Sequence, residues 1–401
     1  MVDSIEKLKG KTVSEFKKNN DVDVKLFHEV KEIDLKQGKL LVQEKDNLKD
    51  RWESFDKLMV ATGAFPIKPP VEGIDAKGIF GVNNLESGLA LKDYIEKIKP
   101  KKAVVIGGGY IGLEMAENLL LLGMEVSLIE RASEVMLTLD TDMGALVSDA
   151  LIEAGVKLYR NESLTGFEIN KGYVHSVVTD KRTFEADLVI LGMGVKPNTL
   201  LVKGTGIKIG ITGAIEVDTT MHTTADNVWA GGDCAESFHL ISKQPVNIAL
   251  GTVANKHGRV VGTNVGGGYS TFLGLVGTAV TKIGKIEVAR TGLQEKEIKQ
   301  TELEYYITSV TESMTRAGYY PNSGPIWVKI LAEKKSGKLL GAQIVGEAGS
   351  AKRIDILATA LHAGLTVEEI ADLDLSYAPP ISPLWDPVAI AARIAMKKLS
   401  E

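Results

Sequence analysis

Six residues, Gly107-Gly108-Gly109-Tyr110-Ile111-Gly112, carry the pattern G-x-G-x-x-G between an apolar run, AVVI, and a helix-like stretch that closes at Gly123. Glycines so spaced at a strand-to-helix turn suit a dinucleotide pyrophosphate. Gly107 permits the tight turn, Gly109 lets phosphates approach the backbone, and Gly112 lets the helix pack closely on the strand. The helix start, with Tyr110 and Ile111 as its first large side chains, offers free N–H groups and the positive end of its dipole. Glu130 ends the next strand, VSLIE, about 20 residues further on. A carboxylate there accepts both ribose hydroxyls and repels a 2′-phosphate, which favours NADH over NADPH. Arg131 beside it weakens that exclusion.

A second group of residues lies far away in the chain. Ala61-Thr62-Gly63 ends one strand-like run, and Val228-Trp229-Ala230 ends in Gly231-Gly232-Asp233. Glycine at a strand end lets a ligand come close. An aspartate there can accept a ribitol hydroxyl. By itself, Gly-Gly-Asp is also an ordinary turn. Between the two stands Gly192-Met193-Gly194-Val195-Lys196-Pro197.

The elements that must hold these residues read as follows. A short helix is expected over residues 12–20, with strands over 24–30, 39–43 and 55–61 and a turn-rich stretch over 66–78. A strand–helix–strand unit begins at Lys101, weaker strands run on to residues 187–192, and a helix covers 254–261. Strands at 277–280, 286–291, 305–311, 326–332 and 339–345 form an antiparallel-looking series, closed by helices at 351–363 and 388–397. Strands followed by helices point to a separate α+β domain.

In this order the motifs resemble the pyridine nucleotide–disulfide oxidoreductases: ATG, then G-x-G-x-x-G with its terminal glutamate, then Gly192 to Pro197, then Thr223 to Asp233. The tail, Ser376-Tyr377-Ala378-Pro379-Pro380 through Asp386-Pro387, is similar to the branch containing coenzyme A disulfide reductase, NADH oxidase and NADH peroxidase. No histidine follows His362, which sets the chain apart from the glutathione reductase branch with its C-terminal His–Glu pair. The resemblance implies an α/β fold of two Rossmann-like dinucleotide-binding domains followed by an α+β dimerisation domain. It assigns FAD to residues 1–98 and 223–268, NAD(P)H to 99–222, and dimerisation to 269–401.

By the same resemblance, Val30, Ala61, Thr62, Gly63, Gly232 and Asp233 line FAD, and Ala249, Leu250 and Thr252 start the helix beneath its ring. Gly194 lies along the nicotinamide, and Glu114 faces nicotinamide and flavin. Tyr377 and Tyr319 reach the partner subunit's active cysteine, with Tyr320 the alternative to Tyr319. The implied activity passes hydride from NAD(P)H through FAD to coenzyme A disulfide, a polysulfide, peroxide or oxygen in a homodimer. A full member begins with its own G-x-G-x-x-G unit and a redox cysteine. This chain starts downstream of both, so it is expected to purify without flavin and without disulfide reductase activity, with an apolar groove beside residues 60–64 and 228–230. The alternative is an inactive nucleotide-binding and dimerising module.

Composition excludes other classes. The net charge of −5 offers no basic surface for nucleic acid or anionic lipid. No apolar run reaches the roughly 18 residues that span a bilayer. MVDSIEKLKGK lacks the apolar core of a signal peptide. A single cysteine, Cys234, cannot form an intrachain disulfide and reads as a small buried residue, which makes the cytoplasm the expected compartment. The six histidines show no metal-ligand spacing, and no G-x-S-x-G elbow exists.

Overall fold

The computed structural model describes residues 8, 10–303 and 306–400. Residues 1–7, the start of the sequence read for a signal peptide, lie outside the described residues, as does Tyr305, the first residue of one expected strand.

The centre is a five-stranded parallel sheet in the order Ile79–Phe80, Leu188–Leu191, Lys102–Ile106, Glu125–Glu130, Lys157–Arg160. Its middle strands, KAVVI and LVIL, are almost wholly apolar because helices and loops cover both faces. Helix Tyr110–Leu121 buries Leu113, Ala116 and Leu119 on one face, and helix Thr141–Glu153 buries Met143, Val147 and Leu151. This unit begins before the expected residue 99. Strand Ile79–Phe80 pairs with Leu188–Leu191, and helix Leu85–Ile98 packs Leu91 into the same core. A two-residue strand is too short to display a period. The unit also closes before residue 222. Val202, Ile207, Ile215 and Met221 pack with Val60, Val228 and Ala230 of the other nucleotide unit.

That other unit is discontinuous. Strand Leu58–Val60 pairs in parallel with Val228–Ala230, Val60 opposite Ala230. A three-stranded antiparallel sheet, His28–Asp34, Lys39–Glu44 and Lys49–Ser54, stands beside it. The strand expected from residue 24 starts only at His28, because Phe27 takes a left-handed φ of 57° that an extended chain cannot continue through. Strand Lys49–Ser54, KDRWES, was not expected: it is mostly exposed and has no apolar alternation. Two crossings join the units, and they pair as an antiparallel ribbon, Ala64–Pro66 against Val195–Pro197.

The C-terminal domain is a five-stranded antiparallel sheet in the order Ala279–Ile283, Ile286–Gly292, Leu339–Gly346, Pro325–Glu333, Tyr306–Met314. Its central strand, Leu339–Gly346, is buried from end to end. Helices Ile354–Ala363, Val367–Ala371 and Pro387–Ser400 cover one face. The helix expected over 351–363 opens as a 3-10 turn, Ala351–Arg353. The fold class is as expected, α/β followed by α+β.

Candidate functional site

The glycine loop leaves strand Lys102–Ile106 and enters helix Tyr110–Leu121. Gly107 has φ 98°, and a Cβ there would stand 2.6 Å from the Gly192 carbonyl oxygen. A Cβ on Gly112 would run into the Gly107 carbonyl oxygen. Gly109 differs: its nearest neighbour would be the Gly192 oxygen at 3.8 Å, so this point of the loop faces open space. That space is a cleft of about 590 Å³ lined by Gly107, Gly109, Glu130, Arg131, Leu137, Thr138 and Gly194, among others. Gly194, at φ 89°, accepts the Ile67 N–H at 3.0 Å. Tyr110, Ile111 and Gly112 stand behind the cleft rather than on its wall. Burial pushes the Tyr110 phenol up, partly offset by the Thr138 hydroxyl and the Arg290 charge.

Glu130 is buried, and its two carboxylate oxygens accept backbone N–H groups from Gly108 at 2.8 Å and Ala132 at 2.9 Å. It therefore clamps the glycine loop as well as facing the cleft. Sequence reasoning missed this role, because strand order sets the approach of Gly108. The glycine cradle, the free helix start and the carboxylate fit a nicotinamide dinucleotide.

The second motif group meets where strands Leu58–Val60 and Val228–Ala230 end side by side. The Gly231 N–H donates to the Val60 carbonyl at 3.1 Å. Gly63 and Gly232 take left-handed φ angles of 69° and 79°. The Thr62 hydroxyl donates to the Asn198 carbonyl, and the Asn198 N–H donates to the Gly63 carbonyl at 2.8 Å. Val30, Ala61 and Thr62 line one open cleft of about 570 Å³ with Leu200 and Leu201. The groove expected beside residues 60–64 and 228–230 is not an apolar one: Val60, Val228, Trp229 and Ala230 are buried, and the cleft beside Ala61 and Thr62 carries Glu29, Lys31 and Asn198 on its wall.

Asp233 is half-buried, makes no side-chain hydrogen bond among the described residues, and has its carboxyl pushed up by burial. A hydroxyl-bearing ligand would relieve that desolvation. Helix Gly251–Val265 begins nearby; its N-cap Leu250 is extended and has no side-chain acceptor for the first-turn N–H groups, while Ala249 is half-buried and Thr252 exposed. Open glycines, an unpaired carboxylate and an uncapped helix start fit the nucleotide of FAD.

His257, one of the histidines without metal spacing, proves structural. It is fully buried, its Nδ1 accepts the Gly232 N–H at 3.2 Å, and Nε2 lies 3.2 Å from the Ser237 hydroxyl. Burial lowers its pKa to about 4, which keeps the ring neutral and able to accept. Cys234 is buried, with Sγ 3.3 Å from the Gly231 carbonyl.

Glu114 is exposed on helix Tyr110–Leu121 and accepts the Thr281 hydroxyl of the C-terminal domain at 3.1 Å. Tyr319 and Tyr377 come from separate loops yet sit together. Tyr377 raises the Tyr319 phenol after a first contribution from desolvation. The Ala317 N–H donates to the Pro379 carbonyl at 3.2 Å, and Arg353 Nη2 donates to the carbonyls of Thr315 and Ile381. Tyr319, Tyr377, Ile381, Leu384 and Trp385 are all exposed on this face. Among the described residues no group of acidic, histidine or cysteine side chains could hold a metal ion, and no helix is long and apolar enough to cross a membrane.

Comparison with known proteins agrees with this layout. Family models match residues 2–258, as pyridine nucleotide-disulphide oxidoreductase, and 278–387, as the dimerisation domain of that family. The chain is 39% identical over 384 residues to the NAD(P)H coenzyme A polysulfide/persulfide reductase of Pyrococcus horikoshii, covering 94% of this chain and 84% of that protein. It is 36% identical over 391 residues to the NADH oxidase of Methanocaldococcus jannaschii, covering 97% and 86%. The solved NAD-dependent persulfide reductase from A. fulgidus superposes with a TM-score of 0.95 at 38% identity, over 100% of this chain and 74% of that one. The chain belongs to the pyridine nucleotide-disulphide oxidoreductases, flavoenzymes that use FAD and NAD(P)H.

Proposed function

We propose that this chain is a homodimeric NAD(P)H-dependent oxidoreductase that reduces a sulfur–sulfur bond, in coenzyme A disulfide or a polysulfide. Peroxide and oxygen are the further acceptors of the same chemistry. NADH, one proton and a disulfide give NAD⁺ and two thiols. The observation that carries the reading is the pair of motif sites, the cleft around Gly109 and the paired strand ends of Leu58–Val60 and Val228–Ala230 that lead into Gly63 and Asp233, joined by the ribbon Ala64–Pro66 and Val195–Pro197. The similarity to a polysulfide/persulfide reductase directs the choice of acceptor.

In this reading Gly107, Gly109 and the start of helix Tyr110–Leu121 bind the pyrophosphate of NAD(P)H. Glu130 holds the ribose, and Gly194 keeps room for the nicotinamide. Bound FAD supplies the hydride acceptor and passes two electrons on. Gly63 and Asp233 hold the flavin nucleotide, and Ala249, Leu250 and Thr252 present a helix start to it. Glu114 is the acidic group facing the rings. Tyr377 and Tyr319 serve the partner subunit, where their exposed hydroxyls orient the sulfur substrate. A buried lone cysteine and neutral-to-acidic charge suit the cytoplasm.

The test is calorimetric titration of the purified chain with NADH and NADPH, followed by NADH consumption with FAD and each acceptor in turn. NADH binds more tightly than NADPH, and the acceptor, if any, that drives NADH loss fixes the reaction of this chain. No binding of either nucleotide at millimolar concentration would overturn the reading.

A further inference from the structure

The wall of the nucleotide cleft opposite the glycine loop is the segment from Val135 to Asp140. Its inner contacts belong to the loop itself. Val135 fills the space over Gly108, and the Met136 N–H, at φ 54°, donates to the Gly108 carbonyl at 2.8 Å. Leu137 and Thr138 then face the cleft. The outer contacts come from the C-terminal domain. The Leu137 carbonyl accepts Gln294 Nε2 at 3.1 Å and Lys296 Nζ at 2.6 Å. The Asp140 N–H donates to Gln343 Oε1 at 2.8 Å, and Asp140 Oδ2 accepts Gln343 Nε2 at 2.8 Å. Asp140 Oδ1 accepts the Glu295 N–H at 2.9 Å. Lys329, only 1% exposed, stands among Asp140, Asp142 and Glu295 at 3.1, 2.8 and 2.6 Å.

A buried cation among three carboxylates is weak as a source of net stability, because desolvation offsets the attraction. It is strong as a fixture, because Lys329 or Asp140 left alone is a buried unpaired group. Asp140 shows where that fixture is directed. It sits at the N-cap of helix Thr141–Glu153 yet makes no capping bond; its side chain is turned to the other domain instead.

We infer that Gln294, Lys296, Lys329 and Gln343 are positioning residues for NAD(P)H: the C-terminal domain holds the Leu137–Thr138 wall at the width the dinucleotide needs. The inference rests on the reading of this cleft as the NAD(P)H site. Nucleotide affinity then depends on the C-terminal domain, although no lining residue belongs to it.

The experiment is calorimetric titration of the whole chain with NADH at high salt, which screens any general attraction of a lysine for phosphate. Lys296→Met, at an exposed residue whose Nζ reaches only Leu137, leaves the melting temperature unchanged and weakens NADH binding about fivefold. Lys296→Arg restores it. Gln343→Leu weakens binding further, about tenfold or more, with some loss of stability. Wild-type affinity in both Lys296→Met and Gln343→Leu would overturn the inference alone. Failure of the unaltered chain to bind NADH would overturn the cleft reading, and the inference with it.

Discussion

The two candidate nucleotide sites are built on opposite plans. The one around Gly109 is local: turn, helix start and terminal carboxylate come from consecutive elements, and Glu130 already holds two backbone N–H groups. The one around Gly63 and Asp233 is assembled from strands far apart in the chain, and its carboxylate makes no side-chain hydrogen bond among the described residues. The first is rigid before any ligand arrives, because its own backbone satisfies it. The second carries an uncompensated desolvation that a ligand would relieve. In the local site the glycine turn is preorganised by covalent neighbourhood and only the Leu137–Thr138 wall is held from the C-terminal domain; in the assembled site preorganisation depends on packing and on His257.

The largest effect follows from the local plan. Gly112→Ala places a methyl against the Gly107 carbonyl, so both nucleotide binding and thermal stability are lost, the latter by about 1–3 kcal/mol or more. Gly109→Val meets only open space and abolishes binding with little change in melting temperature. Calorimetry and thermal melts on the two variants separate turn from cradle. Equal behaviour of both would erase the distinction drawn here.

Acid tests the assembled site. His257 and His239 are both held to about 4 by burial, against 6.5 when unfolded. The folded state then binds fewer protons than the unfolded one, so stability falls as pH drops from 6.5 to 4 and levels off below that. Each group contributes roughly 3 kcal/mol of that slope. Denaturant melts across this window measure it. His257→Gln keeps an acceptor for Gly232 without titrating and flattens the curve by about half; an unchanged curve would remove His257 from the account.

A smaller effect sharpens the comparison at Glu130. Glu130→Ala leaves the Gly108 and Ala132 N–H groups without their acceptor and costs about 1–3 kcal/mol in stability. It also narrows the preference for NADH over NADPH, because the repelling carboxylate is gone while Arg131 remains on the cleft wall to meet a 2′-phosphate. A narrowed preference with an unchanged melt would make Glu130 a selectivity residue only.

The local site was the legible one. Strand, glycine turn, helix and acid follow each other within one stretch, and the expected elements fall where the structure has them. The ATG and GGD motifs were legible as motifs, but their adjacency needed a parallel pairing that no window of sequence contains. Strand Lys49–Ser54 was invisible because it has almost no buried face, and Ile79–Phe80 because it has no length. The tethers on Leu137 and Asp140 come from Gln294, Lys296 and Gln343, polar residues without a motif. His257 looked unremarkable because burial, not spacing, gives it its task.

The ribbon of Ala64–Pro66 and Val195–Pro197 has a consequence for the order of folding. Leu58 and Val228 must pair across everything between them, and an unfolded intervening chain makes that closure entropically costly. Once the parallel sheet has formed, its two exits emerge side by side and the host strands are brought within reach. The inserted unit is therefore expected to fold first and to act as a template for its host, an order that pulse-labelled hydrogen exchange during refolding would read. A lesion deep in that sheet, at Leu188 or Val105 for example, would slow the assembly of the Gly63 and Asp233 site although its own residues are intact.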